Sequence, residues 1–136
     1  MIWAHYYSPW DFAGKENGNI TQWGATATNP AKKSTWGQED YLESQFKSMY
    51  DKFVTQGYPV VIGEFGAIDK AAYDSTNNVY RAAFAKAVTA KAKTYKMVPV
   101  YWDNGYNGQH GFTLFNRSNN TVTQQGIIHA IMQGIQ

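Results

Sequence analysis

The run Pro59-Val60-Val61-Ile62-Gly63-Glu64-Phe65-Gly66 constrains this chain more than any other segment. It is apolar without alternation and rich in β-branched residues. Such a run reads as a strand buried on both faces, the environment of a parallel sheet. It then stops at a carboxylate between two glycines. A charge at the end of a buried strand is costly unless it is paired, so Glu64 calls for a partner and a use.

Helical patterns lie on either side. Before the strand, Thr35-Trp36-Gly37-Gln38 fits a capping box, and Leu42, Phe46, Met49 and Phe53 then recur at 4-3-4 spacing. Gly57 ends that helix and Pro59 prevents its continuation. After the strand, Tyr80, Phe84, Val88 and Ala92 recur at i+4 steps and predict a helix over about Asn77 to Tyr95. Ile2 to Tyr7 and Met97 to Trp102 are the two further strands expected. The polar stretch from Ser8 to Trp36 reads as a long loop, and its Trp10, Phe12, Trp23 and Trp36 argue against disorder. A last helix is expected from the capping-box pattern Thr121-Val122-Thr123-Gln124, with Ile127, Ile128, Ile131, Met132 and Ile135 as its apolar face.

The order β-loop-α-β-α-β-loop-α implies parallel β/α units joined by right-handed crossovers. Each strand delivers polar residues at its C-terminal end, as in a (β/α)8 barrel. An open doubly wound sheet follows the same rule, but no Gly-x-Gly-x-x-Gly or Walker-type turn is present to hold a phosphate.

Composition narrows the function. The absence of cysteine excludes disulfides, thiolate metal sites and a cysteine nucleophile. A formal net charge of +2 without a basic block gives no footprint for nucleic acid; Lys86, Lys91, Lys93 and Lys96 read as the solvated face of one helix. No apolar run approaches the ~20 residues that span a membrane, and Met1-Ile2-Trp3-Ala4-His5 lacks a signal peptide's n- and h-regions. No His-Glu-x-x-His or comparable spacing suggests a metal. His110 and His129 lack matching partners and are read as non-catalytic. Asn19, Asn116 and Asn119 head glycosylation acceptor triplets of a kind that is common by chance. The aromatic fraction of 16% stands out, much of it in Gly- and Asn-rich stretches. Aromatics placed there need burial or a ligand with a flat apolar face, and sugars have such faces.

Three segments in order, Ser8-Pro9-Trp10-Asp11-Phe12-Ala13-Gly14 after His5-Tyr6-Tyr7, Val61-Ile62-Gly63-Glu64-Phe65-Gly66, and Val100-Tyr101-Trp102-Asp103-Asn104-Gly105, resemble the last three β/α units of family 5 glycoside hydrolases. The resemblance is strongest to the endoglucanase (cellulase) branch and covers essentially the whole chain. It implies a partial (β/α)8 TIM barrel in which residues 1–136 form a C-terminal fragment of a catalytic domain. It also implies a parent enzyme that is secreted, microbial, needs no cofactor, and hydrolyses β-1,4-glucan with retention of configuration. Glu64 matches the family's nucleophile, Tyr7 the tyrosine that holds it, His5 a histidine of the same pocket, and Trp102 the floor beneath the reacting sugar. Trp10, Trp23 and Asn104 are weaker candidates for subsite contacts.

A retaining glycosidase needs two carboxyl groups about 5–5.5 Å apart. The family's acid/base lies in an Asn-Glu pair, and no such dipeptide occurs here. Glu16, Glu39 and Glu43 match nothing catalytic. Three parallel strands would leave two open edges, so the chain is expected to self-associate or to dock onto a missing N-terminal barrel half. Alone it should show little or no turnover. A non-catalytic carbohydrate-binding piece and a purely structural, self-associating half-barrel are the alternatives. Mannan, xyloglucan and xylan remain open as substrates of the parent.

Overall fold

A computed structural model describes residues 1–16 and 18–136. Its centre is a parallel sheet of three strands in the order β1 (Ile2–Tyr6), β2 (Val60–Phe65), β3 (Val98–Tyr101). The strand predicted from the unalternating run is the middle one, paired along both edges, but it is not buried on both faces as expected: Val61 and Glu64 are only partly covered. Among the described residues, four α-helices accompany the sheet: α1 (Trp10–Ala13), α2 (Glu39–Lys52), α3 (Asn77–Thr94) and α4 (Gln125–Ile135). A two-residue hairpin, β4 (Phe115–Asn116) with β5 (Thr121–Val122), lies between β3 and α4.

The helices cover one face of the sheet. Ile62 and Val60 from β2 join Leu42 and Phe46 from α2 and Phe84, Val88 and Ala92 from α3 in one core. Phe84 is the aromatic hub: Tyr6 stacks on it at 6.0 Å, Phe12 lies 5.7 Å away, and Trp23 meets it edge-on at 5.3 Å. The opposite face is bare. Trp3, Val98, Val100 and Trp102 point there and are all exposed, and β1 and β3 are both unpaired along their outer edges among the described residues. The alternation of exposed and half-buried residues along β3 follows directly from a sheet covered on one side.

Both capping boxes fail, for a local reason in each case. Gln38 is itself the N-cap of α2, and its amide is already engaged, accepting from Gly24 N and donating to the carbonyls of Ser34 and Trp36. Thr121 belongs to β5, which delays α4 to Gln125. On α4, Met132 and Ile135 are exposed rather than packed; Ala130 and Gly134 make the close approach to α3, and a Cβ on Gly134 would lie 1.9 Å from Thr89 Oγ1. Helix α2 also ends earlier than Gly57, at Lys52. A short 3-10 turn, Val54–Gln56, intervenes, and Gly57 supplies the left-handed residue (φ 84°) that closes it.

The long segment after β1 is pinned by buried polar groups. Lys70 is fully buried and its Nζ donates to the carbonyls of Asp11 (2.7 Å) and Ile20 (2.8 Å). Asn77 bridges Lys70 N and Thr21 O. Asp74 accepts from Thr21, Gln22 and Thr76 and pairs with Lys32 at 3.2 Å. Burial works against the Asp74 charge, yet these donors hold its carboxyl well below the usual carboxylate range.

Burial lowers the Lys70 ammonium to about 8. Between about pH 8 and pH 10 the unfolded chain holds a proton that the folded chain has released, so stability rises with pH in that window. Tyr6, Tyr7 and Tyr101 have raised pKa values, chiefly from burial, and reverse the trend above their ordinary value of 10.0. Urea midpoints at the two ends of the window should therefore differ in the wild type and converge in Lys70→Met. A midpoint that falls with pH in the wild type would contradict this account.

Candidate active site

His5 and Tyr7 are two residues apart and so share one face of the chain as it leaves β1. Glu64 reaches the same place through an irregularity. Ala4 pairs with Ile62 but His5 pairs with Glu64, so β2 carries one extra residue, Gly63, opposite that step. A bulge of this kind turns two consecutive residues toward one side. Gly63 and Glu64 thus both reach the bare face, where regular alternation would have sent Glu64 into the helices.

The carboxylate is held from two directions. Tyr7 Oη donates to Glu64 Oε2 at 2.9 Å, and His5 Nδ1 lies 3.4 Å from the same oxygen. The Tyr7 phenol is raised well above its ordinary value, first by burial and then by the hydrogen bond and charge of Glu64. It stays protonated and remains a donor. On the far side of His5, Trp3 Nε1 donates to His5 Nε2 at 3.0 Å. The ring of Tyr7 is itself wedged edge-on between Trp10 (6.1 Å) and Phe112 (5.8 Å). The result is an ionisable oxygen fixed by a neutral phenol and an imidazole, at the C-terminal end of a central parallel strand and open to solvent. Among the described residues, no group of three or more His, Asp or Glu is placed to hold a metal ion.

The sequence profile "Cellulase (glycosyl hydrolase family 5)" matches residues 1–108. The chain belongs to glycoside hydrolase family 5. It is 85% identical over all 136 residues to Endoglucanase A of Paenibacillus barcinonensis, of which it covers 34%. It is 31% identical over 138 aligned residues to a xyloglucan-specific endo-β-1,4-glucanase of Bacteroides ovatus, covering 26% of that protein. Among solved structures, a family 5 xyloglucanase from Paenibacillus pabuli superposes on the whole chain with a TM-score of 0.99 and 90% identity, the chain covering 38% of it. A broad-specificity endoglucanase from Bacteroides salanitronis superposes with a TM-score of 0.90 at 34% identity, covering 36% of that chain. These family 5 relatives are (β/α)8 barrels. The chain spans about a third of the length of the curated relatives it matches first.

Within this family 5 chain the structure brings together Glu64, Tyr7, His5 and Trp10. Trp102 follows β3 directly, with its backbone N–H on Phe65 O and its ring 41% exposed on the bare face. Trp10 is exposed at the start of α1, and Gly14 makes room for its ring, since a Cβ there would lie 2.2 Å from it. Asn104 commits its side-chain oxygen to the backbone of Tyr106 and Phe112 and so braces the loop beside the site.

Trp23 is a correction. It is 1% exposed, donates its indole N–H to Gly37 O at 2.9 Å and packs on Phe84, so it is a core residue whose ring offers no free face as a platform. Other carboxylates are engaged elsewhere: Glu39 accepts from Ala25 N, Glu43 pairs with Lys91 and Tyr95, and Glu16 lies 3.7 Å from His110. His110 also stacks on Tyr73, away from Glu64 and Tyr7. Trp3 was missed as a member of the cluster. Its signal was available, because it shares strand and parity with His5.

Proposed function

We propose that residues 1–136 are the C-terminal part of a family 5 catalytic domain, its last three β/α units, and that Glu64 is the nucleophile of a retaining β-1,4-glucanase. The observation that carries the proposal is the placement of Glu64. Its oxygen is held by Tyr7 at 2.9 Å and faced by His5, on the solvent-open side of parallel strand ends. Ionised Glu64 attacks the anomeric carbon while an acid supplied by the rest of the barrel protonates the leaving oxygen. Water then releases the sugar with net retention. Tyr7 holds the attacking oxygen in place before attack. Trp102 offers its ring as the floor beneath the reacting sugar, with Trp10 and Asn104 at neighbouring subsites. The parent is secreted, since polymeric glucan is met outside the cell, and neither a metal nor a cofactor enters this scheme.

The 90% identity to a family 5 xyloglucanase favours xyloglucan as substrate beside unbranched glucan. The test is to combine the chain with the complementary part of a family 5 catalytic domain. Reducing-end release from xyloglucan and carboxymethyl-cellulose is then followed with NMR of the first-formed anomer. Activity of the pair but not of the chain, with the β-anomer first, is expected. An α-anomer first would remove Glu64 from the nucleophile's role.

On the same reading, the bare face closes against the missing barrel half or, failing that, against another copy. Sedimentation of the isolated chain should show a molar mass that climbs with concentration. Val98→Glu with Val100→Glu, which charges that face, should restore a monomer; a wild type that stays monomeric throughout would refute self-association.

A further inference from the structure

Trp3 takes no part in the chemistry just proposed, yet its side chain ends on His5. The indole nitrogen can only donate. At 3.0 Å from Trp3 Nε1, His5 Nε2 must therefore be the acceptor, and a neutral ring must carry its proton on Nδ1. That is the nitrogen 3.4 Å from Glu64 Oε2. We infer that Trp3 is a positioning residue that fixes His5 in the Nδ1–H tautomer and so turns an N–H, rather than a lone pair, toward Glu64. The other tautomer sets Nε2–H against the indole N–H and a lone pair against the carboxylate. Two attractive contacts become two repulsive ones.

The seat of the indole is built into the neighbouring strand. A Cβ on Gly63 would lie 1.9 Å from Trp3 Cε2 and 2.4 Å from Nε1, so the ring occupies that place only because residue 63 is glycine. Gly63 is also the extra residue that brings Glu64 opposite His5. One glycine thus aligns both ends of the Trp3-His5-Glu64 chain.

The tautomer does not depend on what the site hydrolyses, whereas its value to catalysis rests on Glu64 being the nucleophile. The test is accordingly spectroscopic: two-bond 1H–15N correlations of the ring-labelled chain, at a pH where the imidazoles are neutral, with His5 assigned by its loss in His5→Gln. The wild type should show His5 with Nδ1 protonated. Glu64→Ala should keep that signature, because Trp3 alone suffices. Adding Trp3→Phe, which retains a ring but no donor, should lose it in favour of the Nε2–H form that free imidazole prefers in water. Gly63→Ala in the Glu64→Ala background should do the same by evicting the indole from the opposite strand. An Nε2–H wild type overturns the inference, as does loss of Nδ1–H in Glu64→Ala alone or its retention once Trp3→Phe is added. In the completed barrel Trp3→Phe should lower kcat and leave KM unchanged. An intact Nδ1–H signature in a barrel that releases no sugar would sustain the tautomer and dismiss the nucleophile.

Discussion

Glu64→Gln in the completed barrel is expected to lower kcat by about four to six orders of magnitude, the scale seen when a covalent nucleophile is removed. Glutamine nearly matches the carboxylate in shape and can still accept from Tyr7, so the fold should be untouched. What is lost is the charge that attacks and the intermediate it forms. Tyr7→Phe provides the scale for comparison. It removes one hydrogen bond to a charged group, about 1.5–3 kcal/mol, which amounts to roughly one to two orders of magnitude in rate. Steady-state rates on an activated aryl glycoside, which needs little help from a general acid, isolate the nucleophilic step. Equal losses in the two variants would mean that Glu64 is one more polar group of a binding cleft.

Phe84→Ala is expected to cost about 3–5 kcal/mol, as for other large-to-small changes at fully buried aromatic positions. Phe84 touches Tyr6 from the end of β1, Phe12 from α1 and Trp23 from the long segment before α2. No shift of one neighbour refills a space bounded by three. Domains of this kind have a total stability of about 5–15 kcal/mol, so the variant should lose a large share of it. Val79→Ala on the same helix is the control: Val79 is 66% exposed, and its removal should change stability by less than about 0.5 kcal/mol. Urea unfolding of the two variants decides the point, and near-equal midpoints would show that the aromatic hub is not the keystone inferred here.

The sequence disclosed most where a single strong signal had no competitor. The unalternating run around Ile62 identified the central strand, and the i+4 series through Phe84 identified α3 to within one residue of its end. It misled where a residue had two plausible uses. Trp23 stands among Gly, Asn and Thr as a sugar platform might, but only the fold reveals that Gly37 O waits for its indole N–H. Gln38 and Thr121 offered capping chemistry that tertiary neighbours had already claimed. A four-residue helix such as α1 is too short to display a period at all. The site residues His5, Tyr7 and Glu64 could be named from their motifs, but their convergence depends on a bulge. A glycine inside a strand run is its only trace in the sequence.

The bare sheet face has a consequence for how such a chain can be used. On the proposed reading, one polypeptide carries the attacking carboxylate and another the proton donor, so glucan cleavage reports that the two have met. Rate then depends on the product of two concentrations rather than on one. Fused to a pair of binding domains, the two pieces would form a split reporter whose output, released sugar, accumulates for as long as the partners remain together.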